Sequence, residues 1–268
     1  MILDKIKDRI GYYDGSIGIC YIDLESGNSC SAGNCDIFPA SGIVKLLILV
    51  EAFRRIEEGS LKKDDKYILQ KEDYSCTDED GMKSYGALEH MHIGTELTIE
   101  DLYKLNVTVS DNMAFNILLK MFTAEEVNRT MRRFGFQNTK INRAIFDKDK
   151  IAKGIDNYVS VQEMADLFVR MEKGQIVSNK ASKEMLHILC HHQKMNVLPY
   201  YFEESLRIAH QTGYDDTLIL DMGIVYAPHP FVLCMASSAA DTRNAESIMR
   251  DITLMCYKNS QLIHSKKI

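Results

Sequence analysis

One lysine, Lys45, interrupts an otherwise apolar run at residues 43–49, and a Phe-Pro-Ala-Ser segment at residues 38–41 comes before it. This pattern predicts an extended segment followed by the N-terminus of a helix that is buried on nearly all sides. An ammonium group in the first turn of a buried helix is costly unless it is paired or used. Because a desolvated lysine with a lowered pKa is a common component of proton-transfer sites, Lys45 is a candidate catalytic residue. The alternative is that its side chain extends to solvent from a partly exposed helix.

Two further polar segments lie later in the chain. A Ser-Asp-Asn triplet at residues 110–112 interrupts a helical pattern, and a His-Gln-Thr-Gly segment at residues 210–213 ends a strand-like run. Together with Ser41, Gly42 and Lys45, these segments resemble in order and spacing the S-x-x-K, S-D-N and K-T-G motifs of the class A β-lactamases and penicillin-binding proteins. The resemblance covers nearly the whole chain.

Shorter segments match the same family pattern in the same order. They are Pro39-Ala40 before the first motif, residues 94–98 with Asp101-Leu102 at a helix start, Asn116 after S-D-N, and residues 221–225 after K-T-G. Any one triplet would be weak support because three-residue motifs occur by chance. The complete ordered set is specific.

The resemblance implies acyl transfer through a helix-terminal serine. In the family that serine attacks a strained amide carbonyl, and the lysine one helical turn later helps to move its proton. By resemblance, Lys45 and Ser110 are the proton-transfer residues, and Asn112 helps to hold the ligand. The family binds the substrate carboxylate on an edge strand, whose next backbone N–H helps to form the oxyanion hole. The corresponding substrate-binding residues here are Gln211, Thr212 and Gly213.

The chain departs from this pattern where the chemistry takes place. Gly42 occupies the nucleophile position three residues before Lys45, and Ser41 lies one residue early. Because one residue rotates a helix by about 100°, Ser41 is predicted to point away from Lys45 and to act as a helix cap rather than as a substitute nucleophile. Gln211 retains hydrogen-bonding capacity but lacks the charge that pairs with a carboxylate.

A further departure lies in the polar segment at residues 137–158. Arg143 resembles the arginine that opens a loop in class A enzymes, but Ile145 occupies the position of their deacylating glutamate. Asp147 is the nearest carboxylate and is a weak candidate base. We therefore expect Gly42→Ser to restore acylation with little turnover.

The elements that position these residues follow from hydrophobic periodicity and turn signals. Helices are predicted at residues 3–13, 45–58, 98–109, 113–122, 123–134, 161–171, 183–190 and 242–257, and strands at 16–24, 29–32, 207–211, 218–226 and 231–237. Strands at both ends of the sequence favour one antiparallel sheet with the first and last helices packed on it.

The predicted fold class is therefore α/β plus all-α, a class A β-lactamase-like fold with an inserted helical domain. Residues 1–58 and 200–268 are predicted to form the sheet domain, and residues 59–199 the helical domain. The candidate site lies in the cleft between them.

Composition narrows the range of partners. The 268 residues are 46% hydrophobic and carry a net charge of −6, as in ordinary soluble proteins, which argues against nucleic acid or an anionic membrane as partner. No stretch approaches the length of a membrane span. The expected partner is a small molecule in the interdomain cleft, and the oligomeric state is not indicated.

Cysteine and histidine spacing gives no metal or cofactor signal. The seven cysteines are scattered without a CxxC pair, and His191-His192 has no further spaced ligands, so no metal or cofactor is expected. This cysteine usage suits a reducing compartment. The expected location is the cytoplasm for the chain as written, or a secreted or periplasmic one if a leader has been removed.

Two classes of function are compatible with these observations. The first is a β-lactamase-like serine hydrolase whose acyl-enzyme catalysis is impaired or lost at Gly42. The alternative is a non-catalytic protein that binds a ligand or partner in the same cleft. Loss of the nucleophile typically costs several orders of magnitude in rate, which the rest of such a site does not restore.

Overall fold

The computed structural model describes residues 2–76, 84–203 and 205–265. The strands are β1 (Ser16–Asp23), β2 (Ser29–Gly33), β3 (Ile37–Pro39), β4 (Lys66–Ile68), β5 (Glu96–Thr98), β6 (Tyr158–Ser160), β7 (Ile208–Asp215), β8 (Leu218–Val225) and β9 (Phe231–Ser238). The helices are α1 (Ile2–Ile10), α2 (Val44–Glu57), α3 (Ile99–Thr108), α4 (Asn112–Phe122), α5 (Ala124–Arg133), α6 (Lys148–Ala152), α7 (Val161–Glu172), α8 (Asn179–Leu189) and α9 (Thr242–Ser265).

Strands from the two ends of the sequence form one antiparallel sheet in the order β2-β1-β9-β8-β7. Alternate residues of β1 serve two apolar layers: Ile17 and Ile19 pack with α1 and α9, whereas Cys20 faces the layer that contains α2 and α7. This alternation is the period-two pattern of a strand that is covered on both faces. The predicted sheet, with the first and last helices on it, is confirmed.

Strand β7 is longer than the sequence indicated. It was predicted to end at Gln211, with a turn from residue 213 onward, but Gly213 pairs with Leu220 and the strand continues to Asp215. A Cβ atom on Gly213 would lie 3.1 Å from the Ala40 carbonyl oxygen. The glycine therefore permits the close approach of another segment rather than a turn.

Helix α9 also exceeds its predicted end at residue 257. Its last turns pack on the Pro-His-Pro segment at residues 228–230, because the buried Ser260 hydroxyl donates to the His229 carbonyl at 2.7 Å and accepts from the His229 N–H at 2.8 Å. Within the described ranges, no helix combines the length and apolar character that crossing a membrane requires.

Helices α3, α4, α5 and α8 pack around α2, whose residues from Val44 to Phe53 are all buried. Thr98 begins α3 with a reciprocal capping box to Asp101, and Asp111 caps α4 through the Ala114 N–H at 2.9 Å. The short 3-10 helix Ser41–Ile43 leads directly into α2 and lies against β7. The first turn of α2, the junction of α3 with α4 and strand β7 therefore meet at one place.

Candidate active site

Lys45, the second residue of α2, is buried with 2% of its surface exposed. Its ammonium group lies 2.6 Å from the Ser110 carbonyl oxygen, 2.9 Å from Ser110 Oγ and 2.7 Å from Asn112 Oδ1. The alternative that Lys45 extends to solvent is therefore wrong. The structure brings together the lysine and the polar triplet that the sequence motifs indicated.

The polar triplet is oriented by an unusual backbone. Ser110 has a φ of 57°, which is rare for a residue other than glycine, and this turn directs both its carbonyl and its hydroxyl toward Lys45. The Asp111 carboxylate also accepts the N–H groups of Ala87 and Leu88 at 2.6 and 2.9 Å. Strained backbone held by such a network is a common feature of functional sites.

Gly42, which the sequence motifs predict to occupy the nucleophile position, lies against strand β7, and the strand leaves little room there. A Cβ atom at this position would lie 3.5 Å from Ser110 Oγ but only 2.5 Å from the Thr212 carbonyl oxygen. The direction suits a nucleophile beside Ser110, but a contact of 2.5 Å is not tolerated without movement of the β7 backbone. The simple expectation that a serine at position 42 restores acylation needs this correction.

Ser41 is bound to the same strand. It adopts a φ of 42°, and its hydroxyl donates to the Tyr214 carbonyl at 2.8 Å. The predicted N-cap role is wrong, because Ser41 lies inside the 3-10 helix and no side chain caps either this helix or α2. The hydroxyl instead links the start of the 3-10 helix to β7 by a hydrogen bond.

Gln211 is the residue that the sequence motifs predict at the position of an edge-strand cation. Its side chain is buried, and its Nε2 lies 3.3 Å from the Gly42 carbonyl oxygen. Within the described part of the chain, Gln211 Oε1 has no hydrogen-bond partner. An unpartnered buried acceptor is costly, so this atom is a candidate contact for a ligand.

Thr212 takes part in a buried histidine network. His192 Nδ1 lies 2.7 Å from the Val107 carbonyl and must donate to it, so in the neutral ring Nε2 accepts from the Thr212 hydroxyl at 2.8 Å. Burial lowers the pKa of His192 well below its usual value, and positive charge at His210 acts in the same direction. The Thr212 hydroxyl therefore donates its hydrogen bond to a neutral imidazole.

The polar segment at residues 137–158 contacts α4 through Ile145. The Asn116 side chain binds the Ile145 backbone twice, at 3.0 Å to the carbonyl and 2.9 Å from the N–H, and Arg143 pairs with Asp156 at 2.8 Å. The Asp147 carboxylate caps α6 by accepting the Lys150 N–H at 3.1 Å. Ile145 is thus fixed beside Asn116, and its assignment to the position of the deacylating glutamate stays a prediction. The Asp147 carboxylate already has a structural contact.

A cluster of one lysine and two tyrosines near the site was not indicated by the sequence. Lys194, in the segment between α8 and β7, has its ammonium group 3.9 Å from the Tyr85 ring centroid and 5.3 Å from the Tyr214 ring centroid. Tyr85 is attached to the site because its carbonyl accepts the Asn112 N–H at 2.8 Å. In the sequence, Lys194 is only a lysine in the segment between a predicted helix and a predicted strand. This pattern is too common to indicate a function.

The described residues contain no group of three His, Cys, Asp or Glu side chains that could hold a metal ion. The polar atoms that do converge are an ammonium, hydroxyls, amides and a neutral imidazole. This donor set serves proton transfer and hydrogen bonding to an organic ligand.

Comparison with known proteins places this arrangement in a family. Solved structures that resemble the chain include PBP-A, with a TM-score of 0.84 at 24% identity over 97% of this chain and 96% of that one. A β-lactamase from Sphaerobacter thermophilus has a TM-score of 0.83 at 21% identity over 97% of both chains. A β-lactamase from Chitinophaga pinensis has a TM-score of 0.87 at 18% identity over 97% and 99%.

These structural likenesses establish the predicted fold, and a match in sequence establishes descent. The model of the β-lactamase enzyme family matches residues 2–260, which include every motif and departure described above. The chain therefore belongs to the β-lactamase enzyme family.

Proposed function

We propose that this protein is a β-lactamase-like serine hydrolase homologue in which acyl-enzyme catalysis is impaired or lost. The observation that carries the proposal is Gly42 at the nucleophile position, with β7 so close that a Cβ atom would lie 2.5 Å from the Thr212 carbonyl oxygen. Without a side chain at this position there is no atom to attack a carbonyl beside Lys45. Ile145 removes the carboxylate that would position a hydrolytic water.

Neither neighbouring serine is a suitable replacement. The Ser41 hydroxyl is bound to the Tyr214 carbonyl, and Ser110 is 4% exposed and shares its hydroxyl with Lys45. In the proposed scheme Lys45 and Ser110 retain the positions of proton-transfer residues, and Asn112 retains that of a ligand contact. The proposal also keeps the division into a sheet domain at residues 1–58 and 200–268 and a helical domain at residues 59–199, with the site between them.

A second candidate function, non-catalytic binding of a ligand in the same cleft, is favoured by one observation. Gln211 Oε1 is buried and lacks a hydrogen-bond partner within the described residues. A bound molecule would satisfy polar atoms that are otherwise costly to bury. This candidate requires no nucleophile.

The test is intact-mass spectrometry after incubation with a fluorescent penicillin, together with a turnover assay on a chromogenic cephalosporin. We expect no covalent adduct and no sustained hydrolysis. Ser41→Ala and Ser110→Ala serve as matched variants. An adduct that disappears in one of them would identify a relocated nucleophile and contradict the proposal.

Reversible binding separates the two candidates. Binding of the penicillin in equilibrium dialysis, without an adduct, would support the ligand-binding protein. Sustained turnover would support an active hydrolase despite Gly42.

A further inference from the structure

Two histidines, His187 and His191, lie together on the surface at the end of α8. His187 belongs to the last turn of that helix, His191 follows its C-cap, and both residues are exposed. Their ring centroids are 4.7 Å apart, with the ring planes at 73° to each other. Side chains four residues apart lie on one face of a helix, and with this spacing two imidazoles can hold a single metal ion.

A hydrogen bond determines which nitrogen of His191 is available to a ligand. His191 Nδ1 lies 2.8 Å from the His187 carbonyl oxygen, and because a carbonyl can only accept, this nitrogen carries the proton. In the neutral ring Nε2 therefore has a free lone pair. Metal-bound histidines commonly donate their other ring N–H to a backbone carbonyl, because that bond holds the imidazole in one tautomer and one orientation.

The two rings have no competing polar contacts with the described residues. Within residues 2–76, 84–203 and 205–265, the His187 ring and His191 Nε2 form no hydrogen bond or ion pair. His192 differs, because it is buried and its two nitrogens contact the Val107 carbonyl and the Thr212 hydroxyl. The expectation that no metal binds rested on the adjacent pair His191-His192, whereas the structure pairs His191 with His187.

The end of α8 also favours a cation. The carbonyl groups in the last turn of a helix lack partners within the helix and give this end a partial negative charge. His187 belongs to that turn, so a dication bound to its ring would lie near these carbonyls. Imidazole nitrogens suit Cu²⁺, Ni²⁺ and Zn²⁺, whereas Mg²⁺ and Ca²⁺ prefer oxygen ligands.

We propose that His187 and His191 form a binding site for one divalent transition-metal ion of the class that prefers imidazole, Cu²⁺, Ni²⁺ or Zn²⁺. One nitrogen of each ring binds the ion, Nε2 in the case of His191. Water fills the remaining positions, because no third His, Cys, Asp or Glu in the described part of the chain completes a metal-binding group. None of the cleft residues takes part, so the proposal does not depend on the function proposed above.

The main experiment is calorimetric titration of the full chain with Ni²⁺ in a non-chelating buffer, with Mg²⁺ as the comparison. We expect one Ni²⁺ to bind per chain and Mg²⁺ not to bind. His187→Gln and His191→Gln should each weaken Ni²⁺ binding by about tenfold or more, because each removes one of two protein ligands. His92→Gln is the matched control, since His92 is an exposed histidine outside α8, and it should bind Ni²⁺ like the parent chain.

A second experiment separates the two imidazoles from a thiol ligand. Cys190 lies between the two histidines in the sequence, and its thiol is hydrogen-bonded to the Arg207 side chain, so Cys190→Ser should leave Ni²⁺ affinity unchanged. Paramagnetic broadening of NMR signals by Ni²⁺ should be centred on residues 187–191. The proposal is overturned if Ni²⁺ does not bind, if the double variant of His187 and His191 binds it undiminished, if Cys190→Ser loses the binding, or if the broadening is centred elsewhere.

Discussion

Gly42 lies in the tight contact between the 3-10 helix and strand β7. The 3-10 helix contacts β7 through Ser41 Oγ and through the Gly42 carbonyl, which lies 3.3 Å from Gln211 Nε2. The glycine is therefore part of the packing between the helix and the sheet. A side chain at this position must displace backbone atoms rather than a flexible side chain.

The first prediction in this part of the molecule concerns Gly42→Ser and Gly42→Ala. Both should lower the free energy of unfolding by about 1–3 kcal/mol, because each adds a Cβ atom that overlaps the Thr212 carbonyl. Urea unfolding followed by circular dichroism measures the loss. The alanine variant separates the effect of the Cβ atom from that of the hydroxyl. A serine variant as stable as the parent chain, and rapidly acylated by penicillin, would show that β7 moves easily.

Sequence motifs located Lys45, Ser110 and Asn112 because each belongs to a short pattern with a fixed relation to a helix start. Their catalytic and binding roles remain predictions. Lys194 has no such pattern, since its relation to Tyr85 and Tyr214 arises only from tertiary contact. The closeness of Thr212 to Gly42 was equally invisible, because it depends on the position of β7 to within an ångström.

At the scale of elements, α2 carries Lys45 of the candidate site, and a buried carboxylate in the middle of α2 links this helix to α5. Glu51 is fully buried and accepts from Arg54, Arg55 and the Thr130 hydroxyl of α5, at 2.7 to 2.8 Å. Burial alone would raise the pKa of Glu51, but these donors outweigh it and lower that pKa. Arg55 also binds the Phe122 carbonyl at the end of α4 at 3.2 Å.

Glu51→Ala should therefore lower the free energy of unfolding by about 3 kcal/mol or more, because it leaves two arginines and a hydroxyl without their shared acceptor. Thermal and urea unfolding measure this. Glu57→Ala is the matched control, since Glu57 is an exposed glutamate on the same helix and should change stability by no more than about 0.5 kcal/mol. Equal effects of the two substitutions would contradict the structural role of Glu51.

The elements were predictable where periodicity agrees with a cap, as in α3 and α4, or with turn signals, as in the strands of the sheet. Predictions of element bounds were wrong where the same residue type is compatible with two structures. Gly213 was interpreted as a turn because glycine favours turns, whereas here it admits a neighbouring backbone within the strand. The end of α9 was missed because its last turns pack on a loop that no local pattern reveals.

At the scale of the whole molecule, the histidine network connects stability to pH. His192 is 4% exposed, its ring lies 4.8 Å from that of His210, and His210 contacts Asp221 at 2.8 Å. Burial lowers the pKa of His192 below its usual 6.5, so in the folded state it stays neutral where the unfolded chain takes up a proton. The contribution of His192 is thus fully present above pH 6.5 and declines as the pH falls toward the lowered pKa.

Urea unfolding at a series of pH values between 7.5 and 5 should reveal this decline. The single proton taken up by His192 gives the free energy of unfolding a slope of up to about 1.4 kcal/mol per pH unit. His192→Gln should remove that component, although carboxylates still titrate at lower pH. His187→Gln, at an exposed histidine of α8, should leave the slope unchanged. If the His192 variant and the parent chain have the same slope over this range, the imidazole is not kept neutral by burial.

The contact between Ser41 and Tyr214 also affects whether another strand can pair with β7. An extended peptide adds to a sheet by pairing with the free backbone groups of an edge strand, and β7 is an edge of this sheet. The Tyr214 carbonyl already accepts the Ser41 hydroxyl, and the 3-10 helix lies against the strand beside it. Strand addition would require the protein to release its own helix first. At Tyr214 the edge of β7 is therefore already occupied by a segment of the same chain, and we expect strand addition there to be disfavoured.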